Sequence, residues 1–348
     1  MNTIRFANPD KILVRAPNWV GDAIMTTPAL QIMRNTFPHC QITILAKPWV
    51  VPVFENSPHV DQLMVYEDQG RHKGKSGAIR LAKDLRGCGF DLAILFQNAF
   101  EAALIAWLAA IPRRMGFTTD ARALLLTDRI GTWPALKKGH LVDYYIGLLS
   151  SAGLQPGERK LRLFFTDDER RGARRTLAKL GLEEKSPIMG INPGATYGTA
   201  KRWPKERFVE TSRRLISEQQ YRVIVFGGPG EARLGEEISA QVGPGCHNLC
   251  DKTSLREAMA LIECCHAFIT NDSGLMHVAA ALDIPQAAII GPTDPRATSP
   301  LSPASRIVQN RGSCQYAPCR HVDCPLDHRC MTGIYVDRVL KIVSEMAP

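Results

Sequence analysis

The sequence predicts an α/β protein built from two doubly wound, Rossmann-like domains that face a cleft. Short β-branched runs alternate with helical stretches along the chain, which is typical of parallel sheets covered by helices on both faces. This alternation restarts near residue 165, without obvious sequence identity between the two halves. A length of 348 residues is enough for two cores of ordinary size. We therefore expect one domain over residues 1–165 and a second over 166–335.

The first half begins with a strand, KILVRA (11–16), followed by a helix over VGDAIMTTPALQIMRNTF (20–37) that Pro28 is expected to kink. Two further strands, QITILA (41–46) and DLAILF (91–96), flank a helix over GAIRLAKDLRGCGF (77–90). The segment 131–140 contains glycine, tryptophan, proline and two lysines without a clear period. It predicts a surface loop.

The second half opens with a strand at RLFF (162–165) and a helix capped at Asp167. Four buried strands follow, each ending in glycine or small polar residues: PIMGINPGA, YRVIVFGG, AFITND and QAAIIG. SLREAMALIECC (254–265) and GLMHVAAAL (274–282) are the helices between them.

Composition indicates a globular, cytoplasmic protein. Hydrophobic residues make up 45% of the chain and charged residues 22%. No apolar run has the length of a membrane span, and the first residues lack the apolar core of a secretory signal. The net charge of +9 is uneven, since residues 1–165 carry 20 basic and 13 acidic side chains (+7) and residues 166–348 carry 23 and 21 (+2).

The basic excess of the first half includes Arg71, Lys73 and Lys75 in RHKGKSG, and the pair Arg113 and Arg114. These residues form either a solvated face or a surface for an anionic partner such as a phosphate-bearing lipid. No aromatic residues are interleaved with them, which argues against nucleic acid as the partner.

The carboxyl ends of the predicted strands are the expected place for a ligand. Two common nucleotide motifs are absent there: no dinucleotide-binding glycine triad follows the first strand, and no Walker lysine loop occurs. Nicotinamide enzymes and ATP-driven phosphoryl transfer are therefore disfavoured. The strand-end residues of the second half are Asn192-Pro193-Gly194, Gly227-Gly228, Asp272-Ser273-Gly274 and Gly291-Pro292-Thr293-Asp294.

The stretch FITNDSGLMHVAAALDIP (268–285) joins a strand to an apolar helix through polar residues. Asp272 lies at the end of the strand, Ser273 is a suitable N-cap, and Gly274 allows a ligand to approach the helix backbone closely. A helix N-terminus of this kind suits a diphosphate. His277, one turn in, is either a neutral donor to that ligand or a buried histidine satisfied by a carbonyl.

Four further residues follow strands and carry polar groups. In NPGATYGTAKRWP (192–204), Thr196 offers a hydroxyl and Lys201 a counter-ion for phosphate, although Lys201 could equally be a solvated charge beside Trp203. Glu231 in FGGPGE either accepts hydrogen bonds from ribose hydroxyls or is a first-turn glutamate that the helix dipole favours. Asp22 in RAPNWVGDAIM is a general base or a helix-capping residue.

The ten cysteines are expected to be thiols, because the chain is long and lacks an export signal. Cys314, Cys319, Cys324 and Cys330 are evenly spaced near the end of the chain, at separations longer than the knuckles of structural zinc sites. This spacing favours ordinary thiols in a loop-rich tail over a metal site.

WVGD near the start, PGATYGTAKRWP, and NDSGLMHVAAAL with the downstream GPTDP occur in this order over essentially the whole chain. In these motifs the sequence resembles glycosyltransferase family 9, the heptosyltransferases of the lipopolysaccharide inner core. The resemblance implies a GT-B fold, with an acceptor domain for the growing core on lipid A and a second domain for ADP-L-glycero-D-manno-heptose. It also implies inversion at the transferred carbon without a nucleotide-bound metal or other cofactor. The resemblance further implies a C-terminal helix over 336–348 that crosses back to the first domain. It also implies a location at the inner face of the inner membrane.

The resemblance assigns roles by motif position. Asp22 is expected to be the general base and Lys201 with Thr196 to hold the diphosphate. Glu231 is expected to bind the ribose and Asp272 the heptose hydroxyls. Ser273, Gly274 and His277 complete the phosphate end, and the basic residues of the first half bind the acceptor. A nucleotide-sugar epimerase and a non-catalytic nucleotide-sugar or lipid-binding protein are the alternatives.

Overall fold

The computed structural model of the chain describes residues 8–182, 186–196, 198–310, 312, 314–319 and 321–346. The chain divides into two compact units, Met1–Phe164 and Phe165–Pro348, one residue before the predicted boundary. Over the described residues, each unit contains one six-stranded sheet in which all strands are parallel. The predicted α/β class, with one doubly wound sheet in each half, is confirmed.

The sheet of the first unit has the strand order β3-β2-β1-β4-β5-β6. Its order reverses between β1 and β4, which is the switch point at which ligands of such sheets bind. The strands are β1 (Lys11–Arg15), β2 (Gln41–Ala46), β3 (Gln62–Val65), β4 (Leu92–Leu95), β5 (Arg113–Phe117) and β6 (Asp128–Ile130). The helices are α1 (Val20–Met25), α2 (Thr27–Thr36), α3 (Gly74–Cys88), α4 (Phe100–Leu108), α5 (Pro134–Lys138) and α6 (Leu141–Ser151), with 3-10 turns at Val51–Val53 and Arg122–Leu125.

Two predictions for the first unit were wrong in detail. The helix expected over residues 20–37 is divided into α1 and α2 at Thr26, and Pro28 lies in the first turn of α2. Proline is accommodated there because the N–H groups of the first turn have no partner within the helix. The N–H that proline lacks therefore costs no helical hydrogen bond. The segment 131–140 was expected to be a loop, yet it contains the short helix α5, which also begins with a proline.

The sheet of the second unit has the strand order β12-β11-β10-β7-β8-β9. Its switch point lies between β7 and β10, whose residues are all buried, as are those of β11. The strands are β7 (Ile188–Asn192), β8 (Arg222–Val225), β9 (Cys246–Asn248), β10 (Ala267–Asn271), β11 (Gln286–Ile289) and β12 (Ser305–Val308). The helices are α7 (Asp167–Lys179), α8 (Lys205–Gln219), α9 (Ala232–Val242), α10 (Leu255–Glu263), α11 (Gly274–Ala281), α12 (Pro295–Thr298), α13 (Arg329–Thr332) and α14 (Val336–Met346), with 3-10 turns at Thr199–Lys201 and Pro229–Glu231.

The start of the second unit also differs from the prediction. RLFF is not a strand, and α7 is capped by Thr166 rather than by Asp167. The Thr166 hydroxyl accepts from the Glu169 N–H, while the Glu169 carboxylate accepts from the Thr166 N–H. This reciprocal capping box satisfies two amides at once, which a cap by Asp167 would not do.

The last helix, α14, packs against α8 and β11 of the second unit. Val339 and Val343 are fully buried there and belong to the same core as Ile289 of β11. The helix begins at Val336, where the sequence predicts it; its last two residues lie outside the described part of the chain. The expected return of this helix to the first unit stays a prediction.

None of the helices in the described part of the chain combines the length and the apolar character that a membrane crossing requires.

Candidate active site

The polar residues predicted for the second unit gather at the carboxyl ends of β7 and β10. Both strands end in a buried asparagine, and each asparagine side chain holds the connection that follows another strand. Asn192 donates to the carbonyl of Phe226 at the end of β8, at 3.0 Å. Asn271 donates to the carbonyl of Pro193 at 2.7 Å, and its side-chain oxygen accepts from the Trp203 N–H at 3.1 Å. Sequence analysis noted Asn192 only as a strand-end residue and did not single out Asn271, yet both side chains hold the site together.

Lys201 and Asp272 form an ion pair at this edge of the sheet. The Lys201 ammonium lies 2.8 Å from Asp272 Oδ2, although the two residues are 71 positions apart in the sequence. Their side chains are 21% and 6% exposed. Thr293, which follows β11, donates its hydroxyl to the same Asp272 oxygen at 2.7 Å. The buried carboxylate is thus compensated by one cation and one hydroxyl, as a buried anion requires.

The N-terminus of α11 opens at the same edge. Ser273 stands at the N-cap position, as predicted, but its hydroxyl donates to Asn192 Oδ1 and makes no cap hydrogen bond. The first-turn amides of α11 therefore receive no cap from this side chain, and the positive end of the helix dipole is turned toward the strand ends. Gly274 begins the helix, and His277 is buried one turn further on, with 4% of its surface exposed.

Glu231 lies across the ends of β7 and β8. It ends the 3-10 turn after β8, and its carboxylate accepts from the Gly228 N–H at 2.8 Å. A Cβ at Gly194 would be only 1.6 Å from Glu231 Oε1, so this carboxylate occupies the space above the loop after β7. Burial raises the pKa of Glu231, while the Gly228 N–H and the Arg202 guanidinium lower it. The result is a half-buried acceptor group held in a fixed position.

Thr196 follows the same loop and is exposed. Arg202, which sequence analysis did not single out, donates to the carbonyl of Ala195 at 3.2 Å and lies near the Glu231 carboxylate. The predicted site residues of the second unit all belong to the connections that follow β7, β8 and β10. They are Thr196, Lys201, Glu231, Asp272, Ser273, Gly274 and His277. The structure brings these seven predicted residues to one edge of the second sheet.

Asp22 occupies the corresponding edge of the first sheet. It lies in the first turn of α1, after β1, and is partly exposed. Tyr145 of α6 is close to it: burial raises the pKa of Tyr145 well above its usual value, and the negative charge of Asp22 raises it further. The first-turn position favours an ionised carboxylate.

The predicted basic residues of the first unit fall into two groups. Arg71 and Lys73 are exposed in the connection that follows β3, at the carboxyl edge of the sheet, and Lys75 is exposed in the first turn of α3. Arg71 pairs with Asp84 at 2.9 Å. Arg113 and Arg114 instead begin β5 and lie at the opposite edge.

Arg113 pairs with Asp128 at 2.6 Å, and Arg114 donates to the carbonyls of Leu125 and Ile111. Both side chains hold neighbouring strands and loops. The structure does not bring them together with Asp22.

A charged cluster that sequence analysis missed lies at the carboxyl edge with Asp22. The buried Arg15 ends β1, and burial lowers its pKa to about 10. Its guanidinium stands over the ring of Tyr66, whose hydroxyl donates to Glu101 at 2.8 Å. Lys47 pairs with Asp68 at 2.5 Å. The available signal was a single basic residue at the end of each apolar run, in KILVR and in QITILAK.

Two exposed tryptophans accompany this cluster. Trp19 and Trp49 follow β1 and β2 and are 52% and 45% exposed. Trp49 donates its indole N–H to the carbonyl of Asn18, and Lys47 stands over its ring. Flat aromatic faces beside paired charges are suited to contact a sugar or a lipid.

Comparison with known proteins places these features in a family context. A family model described as glycosyltransferase family 9 (heptosyltransferase) matches residues 78–329. The lipopolysaccharide heptosyltransferase 2 of Salmonella typhimurium is 34% identical over 311 residues, covering 86% of this chain and 88% of that relative. The lipooligosaccharide heptosyltransferase 2 of Haemophilus influenzae is 35% identical over 312 residues, with the same two coverages of 86% and 88%.

Solved structures show the same likeness. The structure of the E. coli ADP-heptose LPS heptosyltransferase II matches with a TM-score of 0.82 and 30% identity, over 97% of this chain and 98% of that chain. A glycosyl transferase family 9 structure from Veillonella parvula matches with a TM-score of 0.89 and 24% identity over 99% of both chains, a likeness that shows the fold.

Proposed function

The chain belongs to glycosyltransferase family 9, and from that premise we propose that it transfers L-glycero-D-manno-heptose from ADP-heptose to heptosyl-Kdo2-lipid A. The reaction extends the inner core of lipopolysaccharide by one heptose. The relatives described above are named type 2 heptosyltransferases, which supports type II activity over types I and III. Family membership also favours a transferase over an epimerase or a non-catalytic binding protein.

The observation that carries the proposal is the Lys201–Asp272 ion pair beside the N-terminus of α11. When the sugar leaves ADP, negative charge grows on the β-phosphate oxygen. A lysine ammonium and the amides of a helix N-terminus are already oriented for that charge, so they stabilise the transition state more than the ground state. Thr196 adds a hydroxyl to this diphosphate site.

The remaining groups of the second unit suit the rest of the donor. Glu231 is an acceptor held beside the ends of β7 and β8, which fits the ribose hydroxyls. One carboxylate oxygen of Asp272 accepts hydrogen bonds from Lys201 and Thr293. We assign this carboxylate to the heptose hydroxyls. His277, buried one turn into α11, supports the phosphate end.

Asp22 acts in this proposal as the general base. The acceptor hydroxyl oxygen attacks the anomeric carbon of the heptose, and the carbon–oxygen bond to the β-phosphate breaks in the same step. The proton of the hydroxyl passes to the Asp22 carboxylate, and the bonding electrons leave with ADP. A single displacement of this kind inverts the configuration at the anomeric carbon, and it needs Asp22 ionised, as its first-turn position favours.

The acceptor is attached to lipid A, and we propose that the first unit works at the inner membrane surface as a peripheral protein. Arg71, Lys73 and Lys75 are exposed at the carboxyl edge of the first sheet and suit the phosphates of lipid A. Arg113 and Arg114 are not assigned to the acceptor, because their side chains hold Asp128 and backbone carbonyls at the opposite edge.

Release of ADP from ADP-heptose tests the proposed function. We expect release with heptosyl-Kdo2-lipid A and little release without an acceptor. Kdo2-lipid A, which lacks the first heptose, serves as the matched control acceptor. Release with Kdo2-lipid A instead would assign type I activity, and release independent of any acceptor would contradict the transferase proposal.

A further inference from the structure

The described residues from Cys314 to Cys330 have almost no regular secondary structure before α13, and the cysteines face inward. Among the described residues of this segment, only His328 and the four cysteines (Cys314, Cys319, Cys324 and Cys330) are not exposed. Its large apolar side chains point outward instead: Tyr316, Val322 and Leu326 are 47%, 49% and 41% exposed. A segment of this kind has no hydrophobic core to hold its conformation, which is the usual situation of a loop held by a disulfide or a metal.

The four cysteines surround one cavity. All four line a cavity of about 10 Å³, together with residues that include Ala200 and Pro292. This volume is roughly that needed to hold one water molecule, and it is therefore also large enough for one metal ion.

We propose that Cys314, Cys319, Cys324 and Cys330 bind one thiophilic divalent metal ion, zinc or iron, as four thiolate ligands. Four sulfurs around one ion form the tetrahedral arrangement that these two metals prefer. No group of three His, Cys, Asp or Glu side chains among the described residues is already arranged as a metal site, so the ion has to draw the sulfurs inward across the cavity. Each thiol that binds loses its proton to solvent, and no oxidant or reductant is needed.

The sequence spacing had favoured ordinary thiols, because four, four and five residues separate the cysteines. These separations are longer than the two-residue spacing of a tight zinc knuckle. An extended loop folded back on itself can nevertheless bring distant ligands to one cavity, and the four cysteines of this loop line the same one.

The cysteine loop is joined to both sides of the donor site. The Cys319 N–H donates to the carbonyl of Pro292 at 2.7 Å, and Pro292 precedes Thr293, the partner of Asp272. The Ala200 N–H donates to the carbonyl of Val322 at 3.1 Å, and Ala200 precedes Lys201.

Two further contacts secure the loop on the Lys201 side. The Thr199 hydroxyl donates to Asp323 at 2.7 Å. Gly198 has φ +119°, and a Cβ there would be 2.2 Å from the Val322 carbonyl oxygen. The metal would therefore brace the backbone on which Lys201 and Thr293 are held.

Metal analysis of the full chain, purified in reducing buffer without chelators, tests the proposal independently of activity. We expect about one zinc or iron ion per chain. Visible absorption from iron–thiolate bonds distinguishes iron from zinc, and cobalt reconstitution should give a tetrahedral thiolate spectrum. The paired substitution Cys319→Ser and Cys324→Ser should lower the bound metal by roughly 10-fold or more. The matched control, Cys88→Ser with Cys264→Ser, changes two half-buried thiols outside the loop and should keep the metal.

Three results would overturn the proposal. The first is wild-type protein that contains less than about a tenth of an ion per chain and gives no cobalt–thiolate spectrum. The second is a Cys319→Ser and Cys324→Ser protein that retains the metal. The third is an intact mass that shows disulfides among the four cysteines. If that paired variant does not fold, the metal content and cobalt spectrum of the wild type still decide. In folded variants the KM for ADP-heptose should rise while the KM for the acceptor stays constant, because the loop braces only donor-site residues.

Discussion

The carboxylate of Asp272 is 6% exposed, and a buried anion of this kind is stable only beside a cation or hydrogen-bond donors. Lys201 and Thr293 supply both. Neither partner is near Asp272 in the sequence, so the fold has to bring the connections after β7 and β11 to the end of β10. The need to compensate one buried charge thus fixes the geometry of the proposed donor site.

Asp22 is the residue on which the proposed chemistry depends. Replacing it by the isosteric asparagine removes the proton acceptor without changing the shape of the first turn of α1. We expect kcat for acceptor-dependent ADP release to fall by roughly 10²- to 10⁴-fold, with donor affinity unchanged.

The matched control for this variant is Asp143→Asn, which alters a first-turn carboxylate of α6 that pairs with Arg159 at 2.8 Å. Normal turnover by the Asp22→Asn protein would rule out Asp22 as the base.

Gly194 is required by the position of Glu231. Alanine at this position would put its Cβ 1.6 Å from Glu231 Oε1, so the carboxylate must leave the ends of β7 and β8. We expect the KM for ADP-heptose to rise by roughly 10-fold, with a smaller effect on kcat. Gly230→Ala is the control, because a Cβ there meets no atom within 4 Å. Equal kinetics for the two variants would argue against a role of Glu231 in donor binding.

At the scale of secondary structure, the buried elements were predictable and the polar or short ones were not. β1, β2, β4, β7, β8, β10 and β11 are apolar runs, which a buried parallel strand requires. β5 (RRMGF), β6 (DRI) and β9 (CHN) are short or begin with charged residues, and β3 and β12 lie at the sheet edges, so their patterns resemble loops. The division between α1 and α2 also depends on local contacts of Thr26 and Thr27, whose hydroxyls donate to carbonyls of α1.

Two ion pairs join α7 to α10, Arg170–Glu263 and the better shielded Glu169–Arg256. Arg256 of α10, 8% exposed, donates to both carboxylate oxygens of Glu169 at 2.7 and 2.8 Å. These hydrogen bonds lower the pKa of Glu169 from 4.5 to about 2. A carboxyl group whose folded pKa is depressed stabilises the fold above its unfolded pKa, and this stabilisation is lost as the pH falls from about 4.5 to about 2.

We expect Glu169→Gln to lower the free energy of unfolding by about 1–3 kcal/mol at neutral pH. The difference from the wild type should shrink as the pH falls through that window. Denaturant unfolding at several pH values measures both effects, and Asp168→Asn, which removes an exposed partner of Arg171, is the control. A difference that stays constant down to the lowest pH would show that the ion pair is not its source.

At the scale of the whole chain, the positive charge is concentrated in the first unit. Most of the site in the second unit was predictable, because strand-end residues follow recognisable apolar runs. The proposed acceptor residues were harder to predict, since composition cannot distinguish the exposed Lys73 from Arg113, which pairs with Asp128 at the other edge of the sheet. Position along a strand, rather than charge, separates the two cases.

The charge distribution predicts salt-dependent binding of the whole protein to anionic vesicles. Lys73→Glu with Lys75→Glu should weaken binding to phosphatidylglycerol vesicles by roughly 30-fold at low salt, at about 1 kcal/mol for each lysine near the surface. Lys252→Glu with Lys341→Glu changes the net charge equally in the second unit and should have little effect. Equal losses for both pairs in a sedimentation assay would mean that net charge, not the β3–α3 connection, controls binding.

The central claim is that the carboxyl edge of the second sheet holds the diphosphate of ADP-heptose on Lys201 and α11. The most direct measurement is calorimetric titration of ADP-heptose into Lys201→Gln, which removes the charge but keeps a donor for Asp272. Lys205→Gln is the control, because Lys205 pairs with Glu237 nearby, at 2.6 Å. The account predicts a Kd raised by roughly 10-fold or more for Lys201→Gln and unchanged for Lys205→Gln. A Lys201→Gln protein that binds within about twofold of the wild type would contradict it.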